Sequence, residues 1–209
     1  MSDDVRTKLL EAALTHVPFD GWSKATLDAA AADLDMSPAT AHALYPGGTV
    51  ELIEEFYRWG DQMMIEAFEA GDEVKGLGPK VERLVRLRIE TCQAHKEAWR
   101  AAIGTLALPM NLPVAAKTKM RTVDLIWTTA GDQSADFSYY TKRATLVAIL
   151  STTTLFWLAD DSEGNEETWG FLKRRIADIG TIGKFRRKVE ESLKGGLPFS
   201  SKDGPRFSR

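Results

Sequence analysis

Few side chains in this sequence carry obvious chemistry: three histidines, His16, His42 and His95, and one cysteine, Cys92. A zinc or iron site needs ligands spaced so that one helical turn gathers them, as in His-x-x-x-His. No pair of histidines has that spacing, and Glu90 and His95 stand five apart rather than the three of a Glu-x-x-His di-iron pair. His16 falls near the end of a helical pattern and reads as a cap or a partly buried imidazole. Cys92 falls within another helical pattern and reads as a small apolar filler. A single cysteine excludes an internal disulfide framework and a zinc site with more than one thiolate. There is no P-loop, no Rossmann glycine pattern and no Gly-x-Ser-x-Gly. No catalytic residue, metal or cofactor is therefore expected, and function is sought in binding.

Charge narrows what is bound. The chain has 209 residues with 27 basic and 30 acidic side chains, a formal −3. Residues 1–60 hold four basic against ten acidic side chains, residues 61–183 fifteen against seventeen, and residues 184–209 eight against three. The head is acidic and the tail basic. Residues 1–14, MSDDVRTKLLEAAL, run straight into a helical pattern and resemble no signal peptide. Without a long basic presequence the expected setting is a bacterial cytoplasm, peripheral at the inner membrane, or the mitochondrial matrix side for a processed form.

The elements that must position any site are helices. Val5, Leu9, Ala13 and Val17 follow an i, i+4 rule, and Pro18 with Gly21 is expected to stop that helix. Thr26 to about Asp33 is Ala-rich; Ser37 with Pro38 starts a third short helix ending near Tyr45. Thr49 opens a fourth helix after Pro46-Gly47-Gly48. Val81, Leu84, Val85 and Ile89 share one side of a helix that also carries Arg83, Arg86 and Arg88. Trp99 to Leu108 is a more apolar piece, and Pro109 to Pro113 a rigid bend. Ala116, Met120, Val123 and Trp127 line one face of the next helix. From Ala144 to Ala159 no side chain is charged, a run shorter than the roughly 20 residues of a membrane span. It reads as a helix buried on nearly all sides, under other helices, at a dimer seam or against lipid. A last core helix is expected from about Glu166 to Ile179. The resulting fold class is all-α, with units at 1–60, 61–181 and 182–209.

The first sixty residues resemble the TetR helix-turn-helix: Gly21-Trp22, Thr26 opening helix two, Ser37-x-x-Thr40 in helix three, then Tyr45 and a Gly-bearing turn. The chemistry of DNA reading is missing from it. Helix three, SPATAHALY, offers no Lys or Arg, and only His42 can become a cation. An acidic lobe repels the polyanion whose phosphates drive affinity.

The second half is more specific. It contains Leu108-Pro109-x-Asn111-x-Pro113, then Trp127 with Ala130-Gly131-Asp132-Gln133-Ser134-x-Asp136-Phe137. Tyr140-Thr141-x-Arg143-Ala144 and Thr168-Trp169-x-Phe171-Leu172 follow. Together these resemble the ubiquinone (coenzyme Q) biosynthesis accessory protein family, which has a TetR-like fold. The resemblance implies a non-catalytic protein that binds an isoprenoid quinone intermediate or phospholipid. It also implies association with the di-iron demethoxyubiquinone hydroxylase at a membrane surface, and by analogy a homodimer. The runner-up is a TetR-type DNA-binding regulator that responds to a hydrophobic ligand.

Carried onto this chain, the resemblance implies a hydroxylase-facing patch at Trp169, with Phe156 and Trp157 nearby and Asp160 and Asp161 as its polar rim. Leu106, Leu112, Met120, Trp127, Leu146, Ile149 and Leu150 are the expected lipid contacts as a set. For each of these apolar residues the alternative is ordinary core packing. Asp132, Asp136 and Arg143 read as structural, carboxylate caps bridged by an arginine. Residues of about 182–193, with Ile182, Phe185 and Val189 among Arg186, Arg187 and their neighbours, are the expected membrane contact; the alternative is a solvated basic tail.

Overall fold

The computed structural model describes residues 2–134 and 137–177, with side chains from 4–134 and 138–177. Asp136 and the expected membrane-contact residues Ile182, Phe185, Arg186, Arg187 and Val189 lie outside the described residues. Among those described there are helices and no strand. They are α1 (Ser2–Asp20), α2 (Lys24–Asp33), α3 (Pro38–Leu44), α4 (Gly48–Glu69), α5 (Leu77–Glu90), α6 (Lys96–Leu106), α7 (Leu112–Ala130) and α8 (Phe137–Ala159). Residues 166–177, labelled α9, are helical as well.

The head forms as its caps dictate. Ser23 and Ser37 have extended backbone and accept hydrogen bonds from the backbone N–H of Thr26 and Thr40, each satisfying one orphan donor of a helix start. Pro38 occupies the first turn of α3, where a missing N–H costs nothing. The end of α1 differs from expectation: the helix runs through Pro18 to Asp20. In the last turn Pro18 forfeits one hydrogen bond only, and the stop is made by Gly21, whose φ of +64° is left-handed. Gly21 N–H still donates to the Val17 carbonyl at 2.9 Å.

Trp22, just beyond that stop, ties the head to the rest. Its indole N–H donates to the Ala98 carbonyl of α6 at 2.9 Å, and its ring packs 5.3 Å from Phe56 of α4. Helix α4 crosses position 60 without a break, packing on α1 and α2 on one side and on α5 and α7 on the other. One buried apolar cluster runs from Leu9 and Leu10 to Trp157 and Leu172.

Three expected helix faces are corrected. Val81, Leu84, Val85 and Ile89 of α5 are buried as expected, but Arg88 is buried with them, 3% exposed. On α7 the buried side is Thr118, Thr122, Val123, Ile126, Trp127 and Ala130, while Ala116 and Met120 are exposed. The apolar face Leu112–Ala116–Met120–Val123–Trp127 is continuous along the helix, yet only its second half is covered. Likewise α8 is not buried all round: Ala144, Ala148, Thr152, Leu155 and Ala159 form an exposed uncharged face at helical spacing. Cys92 lies beyond α5 rather than within a helix, ahead of a 3-10 turn at Gln93–His95, and is fully buried.

Candidate functional site

The helices α4 to α8 meet around a buried charge. Asp61 of α4, 2% exposed, accepts from Arg88 Nε at 2.8 Å, from Thr122 Oγ1 at 2.8 Å and from Arg121 Nε at 3.2 Å. One carboxylate thus holds α4, α5 and α7 together. Arg88 also donates to the Tyr57 carbonyl at 3.1 Å, and its guanidinium lies 4.8 Å from the centre of the Trp99 ring. Such a desolvated charge is tolerable only because its donors are nearly all paired.

Beside this cluster lies a cleft lined by Tyr57, Arg88, Ile89, Trp99, Lys119, Thr122, Leu150, Thr154 and Trp157. The space open to the centre of a water molecule is about 20 Å³, and about 340 Å³ of empty space is reached when the open mouth is included. The closed part holds about one water. Trp157, 1% exposed, closes the inner wall and donates to Gln93 Oε1 at 2.7 Å. Lys119 is half-buried at the cleft and has no hydrogen-bond or ion-pair partner among the described residues. Burial, with Arg88 repelling it, lowers its pKa to about 8. Burial also pushes the Tyr57 phenol up, so it stays neutral at physiological pH.

The expected lipid contacts divide. Leu150 lines the cleft. Leu106, Trp127, Leu146 and Ile149 are buried in the core cluster away from its lining. Leu112 and Met120 are exposed, by 53% and 47%, because in the first half of α7 it is the side of Val114, Ala115 and Thr118 that packs on the core. Leu108 and Met110, exposed at the preceding bend, extend that apolar surface. Sequence reasoning passed over Lys119, Arg88, Tyr57 and Trp99; charged residues inside an amphipathic pattern give no sign of which one turns inward.

The expected partner patch also divides. Trp169 is half-buried on α9; its indole N–H donates to the Gly164 carbonyl at 2.8 Å, and Arg86 stacks on its ring at 4.7 Å. Phe156 stacks on Phe171 with ring centres 4.8 Å apart. Trp157 belongs to the cleft wall instead, since its side of α8 faces the core. Asp160 is no rim residue either. It is buried and caps α9, accepting from Thr168 N–H at 2.9 Å and from Ser162 N–H at 2.9 Å, as well as from both hydroxyls. Burial alone would raise its pKa; these hydrogen bonds outweigh it and hold the carboxyl far below the usual range. Asp161 is exposed.

The three histidines are apart. His16 pairs with Asp33 and His42 with Asp28, each at 2.6 Å, within the head. His95 packs edge-on against Trp59, and burial lowers its pKa. Asp132 pairs with Lys142 at 2.7 Å, and Arg143 with Asp124, joining α7 to α8 as structural bridges. No group of three or more His, Cys, Asp or Glu among the described residues is placed to hold a metal ion.

The COQ9 family model matches residues 112–183, which span α7, α8 and α9. The "Ubiquinone biosynthesis protein COQ9, mitochondrial" of Xenopus tropicalis is 36% identical over 195 residues, covering 90% of this chain and 61% of that protein. The protein of the same name in Homo sapiens is 33% identical over 206 residues, covering 93% of this chain and 64% of its own length. The chain therefore spans about three fifths of the length of these curated relatives. Among solved structures, a TetR transcriptional regulator from Nitrosomonas europaea superposes with a TM-score of 0.67 at 22% identity, covering 83% of this chain and 97% of the regulator. That likeness confirms the TetR-like, all-helical fold. By the matched segment and by these relatives, the chain is similar to the COQ9 family, over residues 112–183 by the family model and over most of its length by the relatives.

Proposed function

We propose that this protein is a non-catalytic, lipid-binding accessory protein of ubiquinone biosynthesis that works at a membrane surface. The observation that carries the reading is the family match to residues 112–183. The same segment supplies Lys119, Thr122, Leu150, Thr154 and Trp157 to the cleft and leaves Leu112, Ala116 and Met120 uncovered outside it. The lipid in this reading is an isoprenoid quinone intermediate or a phospholipid. Because the closed cleft holds about one water, its chain lies on the uncovered half of α7 or enters only when α7 and α8 part. No helix among the described residues is long and apolar enough to cross a membrane, so contact with the bilayer is peripheral in this proposal.

The partner in this reading is a di-iron demethoxyubiquinone hydroxylase, met by Trp169 with the stacked Phe156 and Phe171. A half-buried tryptophan braced by Arg86 is a preorganised anchor, which lowers the entropy cost of docking. The uncharged exposed face of α8 is the proposed seam of a homodimer.

Organic extraction and native mass spectrometry of the purified protein test the lipid claim, with flotation on anionic vesicles alongside. A co-purified isoprenoid or phospholipid and vesicle binding are expected. A lipid-free protein that ignores vesicles would defeat it. Trp169→Lys is expected to weaken co-purification with the hydroxylase while circular dichroism stays unchanged; undiminished capture removes Trp169 from the interface.

A further inference from the structure

The polar groups around the cleft are unbalanced. Lys119 has no acceptor among the described residues. The buried indole N–H of Trp99, another lining residue, has none either, and neither has Arg121 Nη2. The charges lean the same way: Arg88, Arg121 and Lys119 gather at α5 and α7, and Asp61 is the carboxylate that pairs with the first two. Glu54 of α4 is taken by Lys117 and Arg58. Of the other elements packed here, α6 offers Trp99 and α8 offers Thr154 and Trp157, none of them charged. Donors and positive charge are in surplus; acceptors are wanting.

Next to this surplus runs the uncovered apolar stripe. Leu112, Ala116 and Met120 are at i, i+4 and i+8 of α7, a span of about 12 Å at 1.5 Å per residue. Lys119 stands at its edge, between the exposed Met120 and the buried Thr118. Lys119 belongs to both: it lines the cleft and stands seven residues from Leu112 and three from Ala116 on α7, so a cationic, donor-rich cleft and an apolar stripe meet at one side chain.

We propose that the open mouth of the cleft is the seat of an anionic headgroup, a phosphate or an aromatic carboxylate, one of whose oxygens pairs with Lys119, with the attached chain lying along Leu112, Ala116 and Met120. This rests on the lipid-binding reading above and sharpens it: the preferred cargo carries a negative headgroup oxygen rather than a neutral ring. The lowered pKa of Lys119 gives the seat a pH dependence. Through neutral pH the free ammonium is mostly charged and ready to pair; above about 8 it discharges and the affinity for an anion falls. Arg88 and the neutral Tyr57 do not titrate in that window.

Binding of decyl phosphate, 4-decyloxybenzoate, 1-decanol and inorganic phosphate to the full chain, below micelle-forming concentrations, tests it by calorimetry and by Trp99 and Trp157 fluorescence. At pH 7 one or both anionic amphiphiles are expected to bind about tenfold or more tighter than 1-decanol, and the tighter of the two identifies the headgroup. Lys119→Met should erase that preference, Lys119→Arg should retain it, and only the wild type should lose it between pH 7 and pH 9.5. Met120→Glu should weaken the amphiphiles and spare inorganic phosphate. If 1-decanol binds as well as the anions, or Lys119→Met keeps the preference, the headgroup seat is overturned while lipid binding stands. If no amphiphile binds, both readings fall; if inorganic phosphate alone binds through Lys119, the chain along α7 is overturned.

Discussion

Gly60 and Arg88 are fitted to each other: a Cβ at Gly60 would stand 2.6 Å from Arg88 Nη1 and 2.9 Å from its Cζ. The guanidinium has nowhere to retreat, because it is held by Asp61, by the Tyr57 carbonyl and by Cys92 Sγ at 3.1 Å. Gly60→Ala is therefore expected to destabilise by about 1–3 kcal/mol, although alanine is the better helix former by about 1 kcal/mol. Gly104 of α6 is the control, with nothing within 4 Å of an added Cβ, and Gly104→Ala should stabilise by about 0.5–1 kcal/mol. Thermal unfolding of the two variants should shift the midpoint in opposite directions.

Asp61 carries more than its own pair. Asp61→Asn leaves Arg88 and Arg121 without a carboxylate in a buried setting, at an expected cost of about 3–5 kcal/mol. Thr122→Val removes one hydrogen bond to the same carboxylate and should cost about 1 kcal/mol. Urea unfolding monitored by tryptophan fluorescence would rank them; equal losses would contradict the hub.

Asp160 makes the start of α9 sensitive to acid. Its native pKa is depressed, so its contribution is complete above the unfolded value of about 3.9 and is lost as pH falls through the native one. Asp160→Ala should cost about 1–2 kcal/mol at pH 7, through loss of the capping hydrogen bonds. The gap between wild type and variant should narrow only below about pH 4. A gap that stays constant into strong acid would refute the assignment.

The head should not read DNA. On α3 the one cation to be had is His42, and it is paired with Asp28 in an acidic lobe. Gel shifts against the chain's own upstream sequence at low salt should show no specific retention. Retention competed only by that sequence would restore the regulator reading.

Local signals reached a good part of this fold. Ser37-Pro38 marked α3, and the i, i+3, i+4 pattern of Val81, Leu84, Val85 and Ile89 marked the buried side of α5, because caps and periodicity act within a few residues. The end of α1 was misread because one missing hydrogen bond in a last turn is cheap. On α7 the periodic face was real, but its first half is open because Val114, Ala115 and Thr118, on another side of the helix, pack on the core there.

The order of residues alone determined an all-helical chain, an acidic head stripped of DNA-reading cations, an uncharged stretch at Ala144–Ala159 and the family signature in its second half. Those properties are local or compositional. Only the tertiary structure decided that Arg88 turns inward onto Asp61, that Asp160 is a buried cap and Trp157 a cleft wall, and that Lys119 has no partner among the described residues. Each of these depends on which side chains from distant helices reach the same few ångströms, and burial with its loss of solvent is what gives those meetings their energy.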